Sequence, residues 1–456
     1  MNRMGPASKS AGFKRAGAFI LVAGLLGVPA LTLRAFCVGR SCESSAKATT
    51  TTPFCSLPPE IRQAISQGTR EGRSPEILAV TSQQQVIGTW GPGTASETPW
   101  PSVEGPQRVP IVLSGMGIAA TSRLPDDAGL DDIAPTLASV IKLDRAHPEV
   151  RTGVAMQDAL DPTAEPPRLV VMVALKGVGT ESYVAEEWRQ LNKLAESGAA
   201  TDAGSIMSGA GDPVASMTTI GTGGSPAQHG MTAEIVRDEQ GDLVEAWGMD
   251  SPINVIATFG DDLDNTYSDQ SVVALVGTQA GDKGLIGGRW YPDGDKDLVS
   301  ILPEESSAEE ISDQVAELFE TSPLGRDSLP DLLGVALEGT PDDVDAAIGR
   351  LANQAKKATD GRVTFAIAGT GDSARTSDAI SARELRRLIE QDVSTDTPLV
   401  EALVPGGIYV DQAALAAEKL SDDAVLKALF DMKARDGSDL FADVFPAVAV
   451  TFGRFC

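Results

Sequence analysis

The 456-residue chain is poor in histidine, cysteine, aromatic residues and positive charge, with two His, four Cys and 5% Phe, Trp and Tyr. Two histidines, His147 and His229, leave few imidazoles for metal binding or acid–base chemistry. With so few aromatics, a core must be built from Val, Leu, Ile and Ala. That suits a parallel sheet covered by helices better than an aromatic-rich sandwich. The 37 Lys and Arg residues stand against 64 Asp and Glu, for a net charge of −27. A surface this acidic repels nucleic acid at long range, and no basic patch offsets it. The cysteines Cys37, Cys42, Cys55 and Cys456 lie at the two ends of the chain without metal-ligand spacing. An even number favours disulfides in an oxidising compartment. Of three possible pairings, Cys37–Cys42 with Cys55–Cys456 is the expected one; free thiols are the alternative.

Long apolar runs are also rare, and the longest is N-terminal. Residues 16–33 carry no charge and follow Lys9, Lys14 and Arg15. The run has the length of a short membrane span or a signal-peptide core, and its positive flank sends the following chain across the membrane. Residues 1–36 are therefore expected to be a signal anchor or a signal peptide. Both place the remainder outside the cytoplasm, either at the cell membrane or secreted. The Ser/Thr-rich stretch 37–56 is expected to be a tether, and 57–456 one domain.

Within 57–456, short apolar runs alternate with helical periodicity. Strands are expected at 77–80, 109–113, 169–175, 255–258, 272–276, 332–337, 363–368 and 447–452. Ser307 and Glu310 form a capping box ahead of the stripe Ile311, Val315, Leu318 and Phe319. Val344, Ile348 and Leu351 form a second stripe, and 131–143 starts with two aspartates and has Pro135 in its first turn. The β-α alternation predicts an α/β fold with a doubly wound, mostly parallel sheet and helices on both faces.

One segment carries more specific information. Residues 211–231 include Thr222-Gly223 and Pro226-Ala227-Gln228-His229-Gly230. This pattern resembles the active-site segment of the alkaline phosphatase superfamily, nearest its nucleotide pyrophosphatase/phosphodiesterase and sulfatase-like branches. The resemblance implies a Thr or Ser nucleophile ten residues before Gly223, where this chain has Pro213. It implies a metal-binding Asp after the strand 169–175, where Lys176 stands before Gly177-Val178-Gly179. It implies Asp-His-Gly after 363–368, where the sequence reads Gly369-Thr370-Gly371, and a His-bearing loop where 338–343 has only acids. Residues 109–115 followed by 132–137 resemble a late part of that fold, so the order looks circularly permuted. Gln83-Gln84 is then an alternative for the Asp-His-Gly position.

The resemblance implies hydrolysis of phosphate or sulfate esters by two divalent metals that activate a nucleophile and clamp the reacting oxygens. Zinc is the implied cofactor and its ligands are missing, so none is expected. The leading expectation is a binding or scaffolding pseudoenzyme whose partner is an envelope ligand or protein. The alternative is a diverged phosphoric ester hydrolase using Asp212, Ser216, Asp372 or Lys176. Lys176 is open to a phosphate, a carboxylate or an internal ion pair. Ser216, Thr218 and Thr219 are expected to bond backbone within a helix. An oxygen-only metal site is considered at Asp261, Asp262 and Asp264, and a calcium-loop-like turn at 292–297 with Glu304.

Overall fold

The computed structural model describes residues 54–91, 98–120, 122–288, 290, 296–373 and 380–453. In chain order the first half comprises α1 (Pro59–Gly68), β1 (Ile77–Thr81), β2 (Arg108–Gly115), β3 (Ser122–Arg123), α2 (Ile133–Ile141), β4 (Leu169–Leu175), α3 (Thr180–Ala185), α4 (Arg189–Glu196), β5 (Gly198–Ser205), α5 (Pro213–Thr222), α6 (Pro226–His229), β6 (Ile235–Arg237) and β7 (Leu243–Glu245). The second half adds α7 (Phe259–Tyr267), β8 (Val273–Gly277), β9 (Leu298–Ile301), α8 (Ala308–Thr321), β10 (Asp331–Leu337), α9 (Pro341–Ala358), β11 (Val363–Gly369), α10 (Ala382–Val393), β12 (Val400–Val404), β13 (Gly407–Val410), α11 (Gln412–Ala417), α12 (Asp422–Phe430), β14 (Phe441–Pro446) and α13 (Val448–Gly453).

Eight strands form one sheet in the order β3-β5-β2-β11-β4-β10-β8-β9. From β11 to β9 every neighbour is parallel, whereas β2 runs antiparallel to both β11 and β5. The unbroken apolar run of β4 is buried throughout because the strand is covered on both faces. Val170, Met172 and Ala174 face a core with α2, α5 and α7. Leu169, Val171, Val173 and Leu175 face a second core with α4, α8 and α9. The fold is thus α/β, with a mostly parallel sheet and helices on both faces. The α8 stripe is buried, and Ser307 and Glu310 form the capping box expected from their spacing.

A second sheet, β12-β13-β1-β14, is antiparallel. Ile77 and Ala79 of β1 face α10 and α12, while Leu78 and Val80 face α1. Two expected strands are corrected. Residues 255–258 are irregular and end in Thr258, the N-cap of α7. The strand expected at 447–452 lies earlier, as β14, and α13 takes its place. Strand 77–80 exists but belongs to the antiparallel sheet. Gln83 and Gln84 therefore follow a strand of the four-stranded antiparallel sheet and not of the eight-stranded one, and Gln84 gives its amide to Glu104.

Residues 1–36 and Cys37, Cys42 and Cys456 lie outside the described residues. Cys55 is disulfide-bonded. No described helix is long and apolar enough to cross a membrane.

Candidate functional site

Parallel sheets bind ligands beyond the carboxyl ends of their strands. At that edge Lys176 directly follows β4, Thr278 and Gln279 follow β8, and Thr370 follows β11. Lys176 Nζ meets Asp282 Oδ1 at 2.8 Å, with 4% and 0% of the two side chains exposed. The ammonium also reaches Thr278 Oγ1 at 3.3 Å and Gln279 Oε1 at 3.4 Å. Asp282 Oδ2 accepts the amides of Thr278 and Gln279 at 2.7 and 3.0 Å. A buried charge is tolerable only when it is paired with an opposite charge and hydrogen-bonded in this way. Of the roles open to Lys176, the geometry is that of an internal ion pair.

The start of α5 is equally occupied. Pro213 is its first residue, a position where the missing N–H costs nothing. Asp212 is the N-cap: Oδ1 accepts from the Ala215 amide at 3.0 Å and Oδ2 from the Glu234 amide at 3.1 Å. Burial raises its carboxyl to about 6, against the opposing pull of those amides. Ser216 Oγ donates to a backbone carbonyl, that of Thr370 at 3.0 Å, outside its own helix. Thr218 and Thr219 do bond carbonyls four residues back, those of Val214 and Ala215.

His229 is fully buried behind α5. Its Nδ1 accepts the Met231 amide at 3.1 Å, so the proton sits on Nε2, 3.1 Å from Thr219 Oγ1. Burial, with Arg70 and Arg73 nearby, lowers its pKa to about 3. The ring is a neutral structural element at physiological pH.

The end of β11 and the residues after it leave no space for added side-chain atoms at their glycines. A Cβ on Gly369 would stand 2.0 Å from the Val178 carbonyl oxygen, so an aspartate cannot occupy this position without backbone movement. Thr370 Oγ1 lies 3.3 Å from the Gly177 amide, which it accepts. A Cβ on Gly211 would come within 2.8 Å of the Gly371 Cα. Asp372 Oδ1 accepts the Gly179 and Ser182 amides at 3.1 and 2.9 Å, capping α3. Thr370 joins the turn after β4, through the Gly177 amide, to α5, through Ser216, while Lys176, Asp212 and Asp372 are each held by partners of their own.

The other candidates lie elsewhere. Asp261 caps α7 through Thr258. Asp262 pairs with Arg145 at 2.7 Å and lies 3.5 Å from Arg151. These two carboxylates are therefore committed to separate tasks. Residues 292–295 are outside the described residues, and Glu304 is exposed. The 338–343 loop is a helix start, with Thr340 as the N-cap of α9. His147 is exposed and pairs with Glu149. Among the described residues, no group of three or more His, Cys, Asp and Glu could hold a metal. The donor set at the sheet edge does not fit zinc: an ammonium and its counter-carboxylate occupy it.

Sequence reasoning missed Asp282. Its only local signal was the polar turn Thr278-Gln279-Ala280-Gly281-Asp282 after an apolar run. It also missed a cavity of about 480 Å³ bounded by Arg70, Val150, Arg151, Ala227, Val255 and Ile256. No protein-family model and no curated protein matches this chain.

Proposed function

We propose that this chain is an extracytoplasmic, membrane-anchored protein with an alkaline-phosphatase-like body. In this reading the body has lost metal-dependent hydrolysis and serves as a binding or scaffolding pseudoenzyme. One observation carries the reading: the Lys176–Asp282 pair at 2.8 Å, buried where the resemblance puts a metal. The anchor rests on the apolar run 16–33 and its basic flank. The reading as an active hydrolase needs a free nucleophile or base. Asp212, Ser216, Asp372 and Lys176 each already hold an amide, a carbonyl or a carboxylate.

The test is metal analysis of the purified full chain, together with an assay on a chromogenic phosphodiester with and without added zinc. The expected result is no stoichiometric zinc and no turnover above background. Stoichiometric zinc accompanied by turnover that falls in Asp212→Asn or Lys176→Met would overturn the proposal.

A further inference from the structure

With the sheet edge filled, a ligand must be sought elsewhere, and charge singles out one place. The cavity of about 480 Å³ lies within the range of about 300–1,000 Å³ common for small-molecule sites. Val150, Ala227, Val255 and Ile256 give it apolar walls, and Arg70, Arg151 and Asp262 supply charge. Asp262 serves two guanidiniums, Arg145 and Arg151, and all three side chains are 4–5% exposed. Arg145 Nη1 is buried without a hydrogen-bond partner among the described residues. Arg151 Nε donates to Thr222 O at the end of α5, so the helix dipole offsets part of this charge.

Arg70 adds a further cation. Its Nη1 donates to the carbonyls of Ala227 and Gln228 at 2.8 and 3.4 Å, and no acid pairs with it among the described residues. A carbonyl dipole does not cancel a full charge. Two arginines, Arg70 and Arg151, thus line the cavity against the single carboxylate of Asp262, which Arg145 also neutralises from outside the lining, and in a chain of net charge −27 this local excess is complementary to an anion. The larger cavity, of about 700 Å³ between α1 and α13, lacks this excess. There three arginines, Arg62, Arg70 and Arg237, stand against three carboxylates, Glu71, Glu76 and Asp422, and Arg237 is held by Glu76 and by Glu401.

We propose that the cavity at Arg70 binds a small organic anion: an apolar or aromatic body bearing a carboxylate, sulfonate or phosphate. The anionic group meets Arg70, and the body lies against Val150, Val255 and Ile256. This inference goes beyond the functional reading above and depends on neither zinc nor the fold family.

The test is calorimetric titration of the detergent-solubilised full chain with 2-naphthoate and, in parallel, the uncharged 2-naphthamide. Saturable 1:1 binding of naphthoate is expected, at least tenfold tighter than the amide. Arg70→Gln should weaken it at least tenfold, Arg70→Lys less, and Ala227→Trp should abolish it by filling the cavity. Val448→Trp, which narrows the larger cavity that Arg70 also borders, should leave it unchanged. Unfolding curves that match the native chain establish that each variant is folded. If Arg70→Gln does not fold, the two tryptophan variants decide. No saturable binding, equal affinity for the amide, or loss in Val448→Trp with Ala227→Trp intact would each overturn the proposal.

Discussion

Gly211 and Gly371 touch backbone to backbone. A Cβ on the first would lie 2.8 Å from the Cα of the second, and a Cβ on Gly371 2.7 Å from that of Gly211. This contact seals the loop before α5 against the loop after β11. Gly211→Ala must separate the two loops and is expected to cost about 1–3 kcal/mol in urea unfolding. Gly68→Ala, at the end of α1 with neighbours no nearer than 3.4 Å, is the control and should be neutral or slightly stabilising.

The Lys176–Asp282 pair gives a non-additive pattern. Lys176→Met strands a buried carboxylate and should cost about 3–5 kcal/mol. In Lys176→Met with Asp282→Asn no charge is stranded, and the asparagine oxygen still accepts one amide of the Thr278-Gln279 turn. The double variant should recover at least half of that loss. Strictly additive costs in a denaturation double-mutant cycle would contradict the ion-pair account.

His229 makes stability depend on acid. Its folded pKa of about 3 lies below the ordinary 6.5. The unfolded chain therefore binds the proton first as pH falls, and the contribution of neutral His229 is complete above 6.5 and lost between 6.5 and 3. The slope approaches about 1.4 kcal/mol per pH unit. His229→Asn, whose oxygen replaces the Nδ1 acceptor, removes that slope. The stability difference between native chain and variant should therefore shrink between pH 7 and pH 4, measured by thermal unfolding.

Asp131 works in the opposite sense. Burial, reinforced by neighbouring Asp132, raises its carboxyl to about 7 from 3.8. Its protonated form favours folding, and that contribution is lost as pH rises through 7. Asp131→Asn should gain stability relative to the native chain between pH 5 and pH 8. A difference that stays flat with pH would contradict this.

The parallel sheet was legible because β4, β10 and β11 are continuous apolar runs, and α8 because its capping box is local. The same reasoning misassigned 255–258, since a short apolar run has no period of its own. Thr258 and Asp261, a capping pair, were the local clue that a helix was about to begin. The hairpin β12-β13 has a local signal as well, Pro405-Gly406 between two apolar runs, but β-α alternation points only to parallel strands. At the candidate site the unusual residues were visible, but their partners were not. Asp282 stands more than a hundred positions from Lys176, and only the adjacency of β4, β10 and β8 brings them together.

The first and last strands of the described unit pair side by side, with Ile77 opposite Pro446, Leu78 opposite Phe445 and Ala79 opposite Val444. The Phe54 amide is fastened to Asp443 on the same terminal strand. Both ends of the described residues are therefore tied to the small antiparallel sheet, and the pairing of Ile77 with Pro446 brings them out at the same edge of it. The eight-stranded sheet, with the Lys176–Asp282 pair at its carboxyl edge, takes no strand from either end of the described residues.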